Sequence, residues 1–315
     1  MFEIRISGGV GNQLFQYAQG YSLSRKYGQK VILDTSYFDY DDFRVYELDK
    51  FNLQIDQKIS YLDNINTQGF VRYLQIIVGI LKKRKRLKDF EIIEEGDECA
   101  VKDLSKGDYY FRGFWQNERY FKEYRKDLMK QIVLKEISRE YREYLEKIRG
   151  GGLSASVHIR RTDYIKYQAL IDPEYYMIAI NKLQEMAYIE IFYIFTDDPE
   201  WAFQYFKKSQ ISVQFEIVSG NGLTDLEELM LMKECQHHIV ANSSFSWWGG
   251  YLGGGYEKKI VIAPKVNMWN ENFYPKKWLL IDVDMKIENE KENRNENRIK
   301  CKDALIREIK EIGYL

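Results

Sequence analysis

A chain of 315 residues with 45% apolar content is long enough for two domains of roughly 150 residues, each with a core of its own. Its 47 Lys and Arg against 48 Asp and Glu exclude a global field that would recruit nucleic acid or an acidic polymer, so any anionic ligand must be held by a local cluster. The three cysteines, Cys99, Cys235 and Cys301, include no C-x-x-C pair and no zinc spacing, which excludes a disulfide framework and fits a reducing compartment.

The opening "MFEIRISGG" carries Glu3 and Arg5 and has no apolar run of secretory length, so a cytoplasmic protein is expected. "FEIRIS" alternates as a strand, "GGVG" turns, "NQLFQYAQGYSLSRKYG" reads as a helix closed by Gly28, and "KVILDTS" is a second strand. Together they make one β-loop-α-β unit. The acidic, aromatic stretch "YFDYDDFRVYELDKFNLQ" shows no clean period, and from there to about residue 150 the chain reads as mostly helical, with strand pieces near "YYFRGFW". Within it, "YLQIIVGIL" at 73–81 is too short to span a bilayer. It runs into "KKRKRLK" at 82–88, six cations in seven residues. One reading is a solvated helix end whose cations offset the helix dipole; the other is an apolar and basic segment in peripheral contact with an anionic membrane.

"RGGGL" at 149–153 reads as the linker between a first domain, residues 1–150, and a second, residues 151–285. In the second, strand candidates "SASVHIR", "IEIFYIF", "SVQFEIV", "HHIVAN" and "KIVIAP" alternate with helix candidates "EYYMIAINKLQEM", "PEWAFQYFKK", "DLEELMLMKEC" and "SSFSWWGGYLG". That spacing predicts a parallel, doubly wound sheet. The remainder, 286–315, reads as a solvated linker followed by a C-terminal helix over "DALIREIKEIGYL".

In an open parallel sheet, ligands bind beyond the carboxyl ends of the strands. Four successive strands here end in "HIRRTD", "TDDP", "SGNGLTD" and "NSSFSWWGG", which predicts a single polar crevice. Arg160 and Arg161 offer planar forks for phosphate oxygens, and Asn242, Ser243, Ser244, Phe245 and Ser246 open a helix whose N–H groups suit an anion. Asp197 and Asp198 supply acceptors for a base edge or ribose hydroxyls. A nucleoside diphosphate fits this set. The plainer alternatives are an Arg160–Asp163 ion pair and a simple helix cap. Other templates fail: Leu14 occupies the third glycine position of G-x-G-x-x-G, and no P-loop is present. The triplets "DYD" at 39–41 and "DVD" at 282–284 are too common to specify a metal, and His237 and His238 head a buried strand pattern.

The motifs "GGVGNQLFQYA", "GFWQNERYF", "HIRRTDY", "FTDDPEWA" and "HHIVANSSFSWWGG", in that order along nearly the whole chain, resemble the inverting α1,2-fucosyltransferases. Thr162 stands where those enzymes usually have glycine, and Gly250-Tyr251 where Ala-Trp is common. The resemblance implies a GT-B architecture, two Rossmann-like doubly wound domains facing across a cleft, with GDP-fucose as donor, a galactose-terminated glycan as acceptor and no metal or other cofactor. It casts Arg160 and Asn12 as catalytic, and His158, Arg161, Asp197, Asp198 and the loop from Asn242 to Ser246 as nucleotide contacts. Gln13, Trp115 and Gln116 fall on the acceptor side, with Trp115 as either a galactose platform or a core residue. The general base is not named by any motif; Asp34, Asp39, Asp41 and Asp42 follow the second strand and are candidates. A transferase for another GDP-sugar, a catalytically idle sugar-nucleotide-binding protein and an NAD-linked oxidoreductase are the rival readings.

Overall fold

A computed structural model describes residues 1–61, 70–96, 104–166, 168–209, 213–254, 258–266 and 272–283. Cys99, Cys301, Asp284 and the predicted C-terminal helix lie outside the described residues.

β1 (Phe2–Arg5) passes through Gly8 and Gly9 into α1 (Val10–Tyr27), and β2 (Val31–Asp34) follows. Gly28 closes α1 at φ 67, a left-handed conformation that glycine adopts at no steric cost. The aperiodic stretch that follows folds as short 3-10 turns and the edge strand β3 (Gln57–Ile59). α2 (Phe70–Arg86), β4 (Glu91–Glu94) and β5 (Tyr109–Arg112) complete a wholly parallel sheet of order β3-β2-β1-β5-β4. Its edge strands are three and four residues long, too short to impose a period on the sequence.

α3 (Arg125–Gln131) and α4 (Arg139–Gly150) lead out of this sheet. Ser138 caps α4, its hydroxyl accepting from the Tyr141 N–H. The Ser138 N–H donates to Glu227 at 2.7 Å and Arg149 pairs with Glu234 at 2.8 Å, so α4 packs on helices of the second sheet although it precedes the glycine run.

The second sheet holds β6 (Ser154–Ile159), β7 (Ile191–Thr196), β8 (Gln214–Ile217), β9 (His237–Ile239), β10 (Val261–Lys265) and β11 (Leu279–Asp282), all parallel in the order β11-β10-β9-β6-β7-β8. Between them run α5 (Thr162–Lys166), α6 (Glu174–Met186), α7 (Pro199–Lys208), α8 (Asp225–Met232) and α9 (Ser244–Leu252). The strands and helices expected here are all present. β11, an edge strand that alternates in burial, is an addition.

The two sheets face each other as a GT-B architecture requires, and an aromatic core joins them. The Phe15 ring on α1 lies 4.5 Å from Trp247 and 5.0 Å from Trp248 on α9, and Phe121 stacks on Trp248 at 5.5 Å. The Trp248 indole donates to the Gly11 carbonyl at 2.9 Å. A Cβ on Gly11 would sit 2.5 Å from the Phe245 nitrogen. Only glycine therefore lets the N-termini of α1 and α9 meet. Because those helices follow the carboxyl ends of β1 and β9, the contact turns the two sheets' ligand-binding edges toward one seam.

The basic run at 82–88 divides. Lys83 reaches inward to buried Asp34 at 2.7 Å and Arg86 to buried Glu3 at 2.9 Å, while Lys82, Arg84, Lys85 and Lys88 are exposed. Two of the six cations of the run are therefore structural, and four remain at the surface. Among the described residues, no helix is long and apolar enough to cross a membrane.

Candidate active site

β6 is buried along its length, and alternation sorts its side chains. Val157 and Ile159 enter the core beneath α6 and α7. His158 takes the other face, its ring 5.2 Å from that of Phe245 at the start of α9. Its Nδ1 is buried without a protein partner. Burial, reinforced by the Arg160 charge, lowers the imidazole pKa to about 3, so His158 is neutral. A buried, unpaired polar atom beside a helix N-terminus is a group available to a ligand.

Arg160 lies on the same face. Its Nε and Nη2 grip Asp163 at 2.8 and 2.9 Å, with Asp197 3.2 Å from Nε. The ion pair offered as the plain alternative is thus present, yet these bonds leave Nη1 uncommitted and hold the fork in a fixed orientation. Arg161 departs from expectation. Its guanidinium stacks 3.9 Å above the Trp201 ring centre and pairs with Asp198 at 3.2 Å. It is turned onto α7.

The two aspartates are likewise engaged. Asp197 accepts from the Arg161 and Thr162 N–H groups and the Thr162 hydroxyl at 2.8, 3.1 and 2.6 Å, and Asp198 caps α7 through the Trp201 N–H at 3.2 Å. A tight loop leaving a strand exposes backbone donors that must be paired. These carboxylates pair them and so shape the arginine loop.

Within "NSSFS", Asn242 donates to the Ala169 carbonyl at 2.8 Å, and the Ser246 hydroxyl accepts from Ala241 N–H at 2.7 Å. Both brace the turn. Ser243 is the extended N-cap and makes no side-chain capping bond to the helix. Ser244 and Phe245 carry the first N–H groups of α9, against Gly11.

On the first domain, Asn12 in the first turn of α1 accepts from the Gln116 amide at 2.8 Å. Gln13 is fully buried and ties the next loop down, donating to the Gly8 and Val45 carbonyls and accepting from Glu47 N–H. In the structure it clamps that loop. Trp115 is also a core residue. Its ring is wholly buried 5.9 Å from Phe111 and 5.2 Å from Tyr120, and its backbone sits at φ 58. The strained turn exposes its neighbour instead: Phe114 is 44% exposed. Glu95 fixes this loop by accepting from the Phe114 and Gln116 N–H groups at 2.8 and 3.2 Å.

Arg44 completes the seam and carries no sequence signal, being a lone arginine in the aperiodic stretch. Asp41 accepts from its N–H at 2.7 Å, and its guanidinium reaches across to Asp163 at 3.4 Å. The first domain thereby adds a second cation beside the Arg160 loop. The four candidate bases are engaged elsewhere. Asp34 is fully buried against Lys83, Tyr110 and Ser36. Burial alone would raise its pKa, but the Lys83 charge and these hydrogen bonds outweigh it and hold the carboxyl below its ordinary value. Asp39 bonds Ser60, Asp41 caps the Phe43–Arg44 turn, and Asp42 pairs with Arg72.

Residues 1–282 match the model of glycosyl transferase family 11. An α1,2-colitosyltransferase of Escherichia coli is 34% identical over 297 residues, covering 88% of this chain and 98% of that protein. The O-antigen biosynthesis glycosyltransferase WbnK of Escherichia coli is 28% identical over 285 residues, covering 82% and 92%. Galactoside 2-α-L-fucosyltransferase Sec1 of Mus musculus is 21% identical over 268 residues, covering 81% and 65%.

Proposed function

Because the chain belongs to glycosyl transferase family 11, we propose that this glycosyltransferase moves L-fucose from GDP-fucose to O2 of a terminal β-galactose, with inversion, in the synthesis of a surface polysaccharide. One observation carries the reading: Gly11, next to Asn12 in the first turn of α1, packs against the α9 N-terminus of the second domain, whose Phe245 lies against His158 on the Arg160 face of β6. Departure of GDP builds negative charge on its β-phosphate. Arg160, Arg44 and the N–H groups that open α9 are fixed in advance to receive it, so their stabilisation grows as the bond breaks. On this reading no divalent metal is required. Neutral His158 supplies a hydrogen bond to the nucleotide without adding a charge. Asn12, oriented by Gln116, faces the sugar and acceptor, and exposed Phe114 takes the platform role against the apolar face of galactose. The proposal includes a peripheral seat on an anionic membrane near residues 82–88.

The 34%-identical colitosyltransferase favours a second reading, in which the donor sugar is colitose. Colitose is fucose without its 3-hydroxyl. A site that hydrogen-bonds that hydroxyl rejects the deoxy sugar by about four orders of magnitude, whereas an apolar site discriminates weakly. Turnover of the two GDP-sugars with a β-galactoside acceptor, with the product linkage read by NMR, decides between them. A fucosylated α1,2 product at much higher kcat/KM supports the first reading, preference for the colitose donor supports the second, and no product from either overturns both.

A further inference from the structure

We propose that α2 is a membrane-docking helix whose outer face, an apolar stripe bordered by lysine and arginine, rests on an anionic lipid surface. This extends the peripheral seat proposed above. It fails separately from sugar transfer, which a soluble acceptor reports on its own.

Val71, Leu74, Val78 and Leu81 are spaced by three, four and three residues and are each 45 to 56% exposed. At about 100° per residue they share one narrow face of the helix. Tyr73 is exposed alongside them. Five of the fifteen exposed large hydrophobic residues among those described therefore lie on this one helix, a concentration that marks an interaction surface. Lys82 and Lys85 continue the same face, with Arg84 and Lys88 beside it, all exposed.

The inward cations explain why this face stays outward. Lys83 and Arg86 are paired with Asp34 and Glu3, two carboxylates with no exposed surface on β2 and β1. Rotating the helix to bury its apolar stripe would leave both carboxylates buried and unpaired, which is strongly unfavourable. Two salt bridges thus lock the apolar and basic face toward solvent.

Charge decides the occupant. A second copy docked face to face would set the same cations against each other if the helices ran parallel, and against an apolar stripe if they ran antiparallel, so neither arrangement gives the cations a negative partner on α2. Residues 286–315 carry eight Lys and Arg against seven Asp and Glu, so that segment offers no negative partner. An anionic bilayer matches both halves of the face, its headgroups meeting the cations and its acyl boundary the apolar stripe.

The test is co-sedimentation of the full chain with vesicles of phosphatidylcholine alone or with about 30 mol% phosphatidylserine, which approximates a charged leaflet. Binding should require phosphatidylserine and weaken with salt. The variant K82Q/R84Q/K85Q/K88Q, which spares both inward cations, should lose on the order of a hundredfold or more in affinity. The variant L74Q/V78Q/L81Q should lose binding while keeping its melting temperature and its turnover of a soluble galactoside. Wild-type protein that ignores anionic vesicles, or binding unchanged in both variants, overturns the proposal. So does a wild-type dimer that L74Q/V78Q/L81Q dissolves, since the face is then an interface between copies.

Discussion

In the proposed mechanism, transition-state stabilisation turns on Arg160. We expect Arg160→Ala to lose about a hundredfold or more in kcat, the scale of removing one charge-stabilising group. Arg160→Lys should recover only part, since a point charge keeps the sign but loses the fork held by Asp163. Donor affinity should fall less than kcat, and melting curves of both variants check that Asp163, left with Arg44 alone, has not unfolded the loop. Wild-type turnover in Arg160→Ala removes the residue from the mechanism. A second residue gives a pH signature. Burial raises the Glu228 carboxyl to about 7, with Ser219 donating to it at 2.6 Å. From pH 4.5 to 7 the folded chain holds a proton that the unfolded chain releases, so this group's contribution to stability is lost as pH rises through 7. Glu228→Gln should therefore raise the melting temperature relative to wild type more at pH 8 than at pH 5; an equal difference at both contradicts the assignment. The placement of His158 and Arg160 at one strand end, and of the loop that opens α9, was legible at this scale because strand alternation and strand-end polarity are written locally. Arg44 was not, because a residue that reaches across a seam leaves no periodic trace, and a buried Trp115 beside an exposed Phe114 follows from one positive φ that no composition encodes.

The contact between α1 and α9 governs the site at the scale of elements. A methyl on Gly11 meets backbone atoms of Ser244 and Phe245 rather than a side chain that can swing aside. Gly11→Ala should destabilise by about 1–3 kcal/mol, the usual cost of overpacking, and should lower kcat by separating Asn12 from the phosphate loop. A melting curve with steady-state kinetics checks both effects, and a variant normal in both denies the contact its role. The second sheet was legible nearly element by element, since buried parallel strands read as apolar runs and α6 and α7 begin and end where the sequence places them. The first sheet was less so. Its β3 and β4 are short edges, and α2 conceals Lys83 and Arg86 inside a run that composition alone reads as surface.

The aromatic core that joins the sheets gives the whole molecule its character. Phe15 and Phe121 of the first half pack on Trp247 and Trp248 of the second, an apolar interface of the kind that resists independent domain motion. Tryptophan fluorescence and far-UV circular dichroism should thus report one coincident thermal transition; two resolved transitions would show the halves melting separately. The second parallel sheet followed from the alternating pattern and the first only from the family resemblance, and the aromatic joint between them from neither, because tryptophans in "SFSWWGG" look the same whether they fill one domain or bridge two. The central claim is that fixed cations and the α9 N-terminus, not a metal, hold the diphosphate. It is tested most directly by the thermal shift that GDP produces in excess chelator. A ligand bound only by the native state at a hundredfold its Kd stabilises by about 2.7 kcal/mol; the account predicts the full shift with chelator present and no gain on adding manganese. A shift that vanishes in chelator and returns with manganese would contradict it.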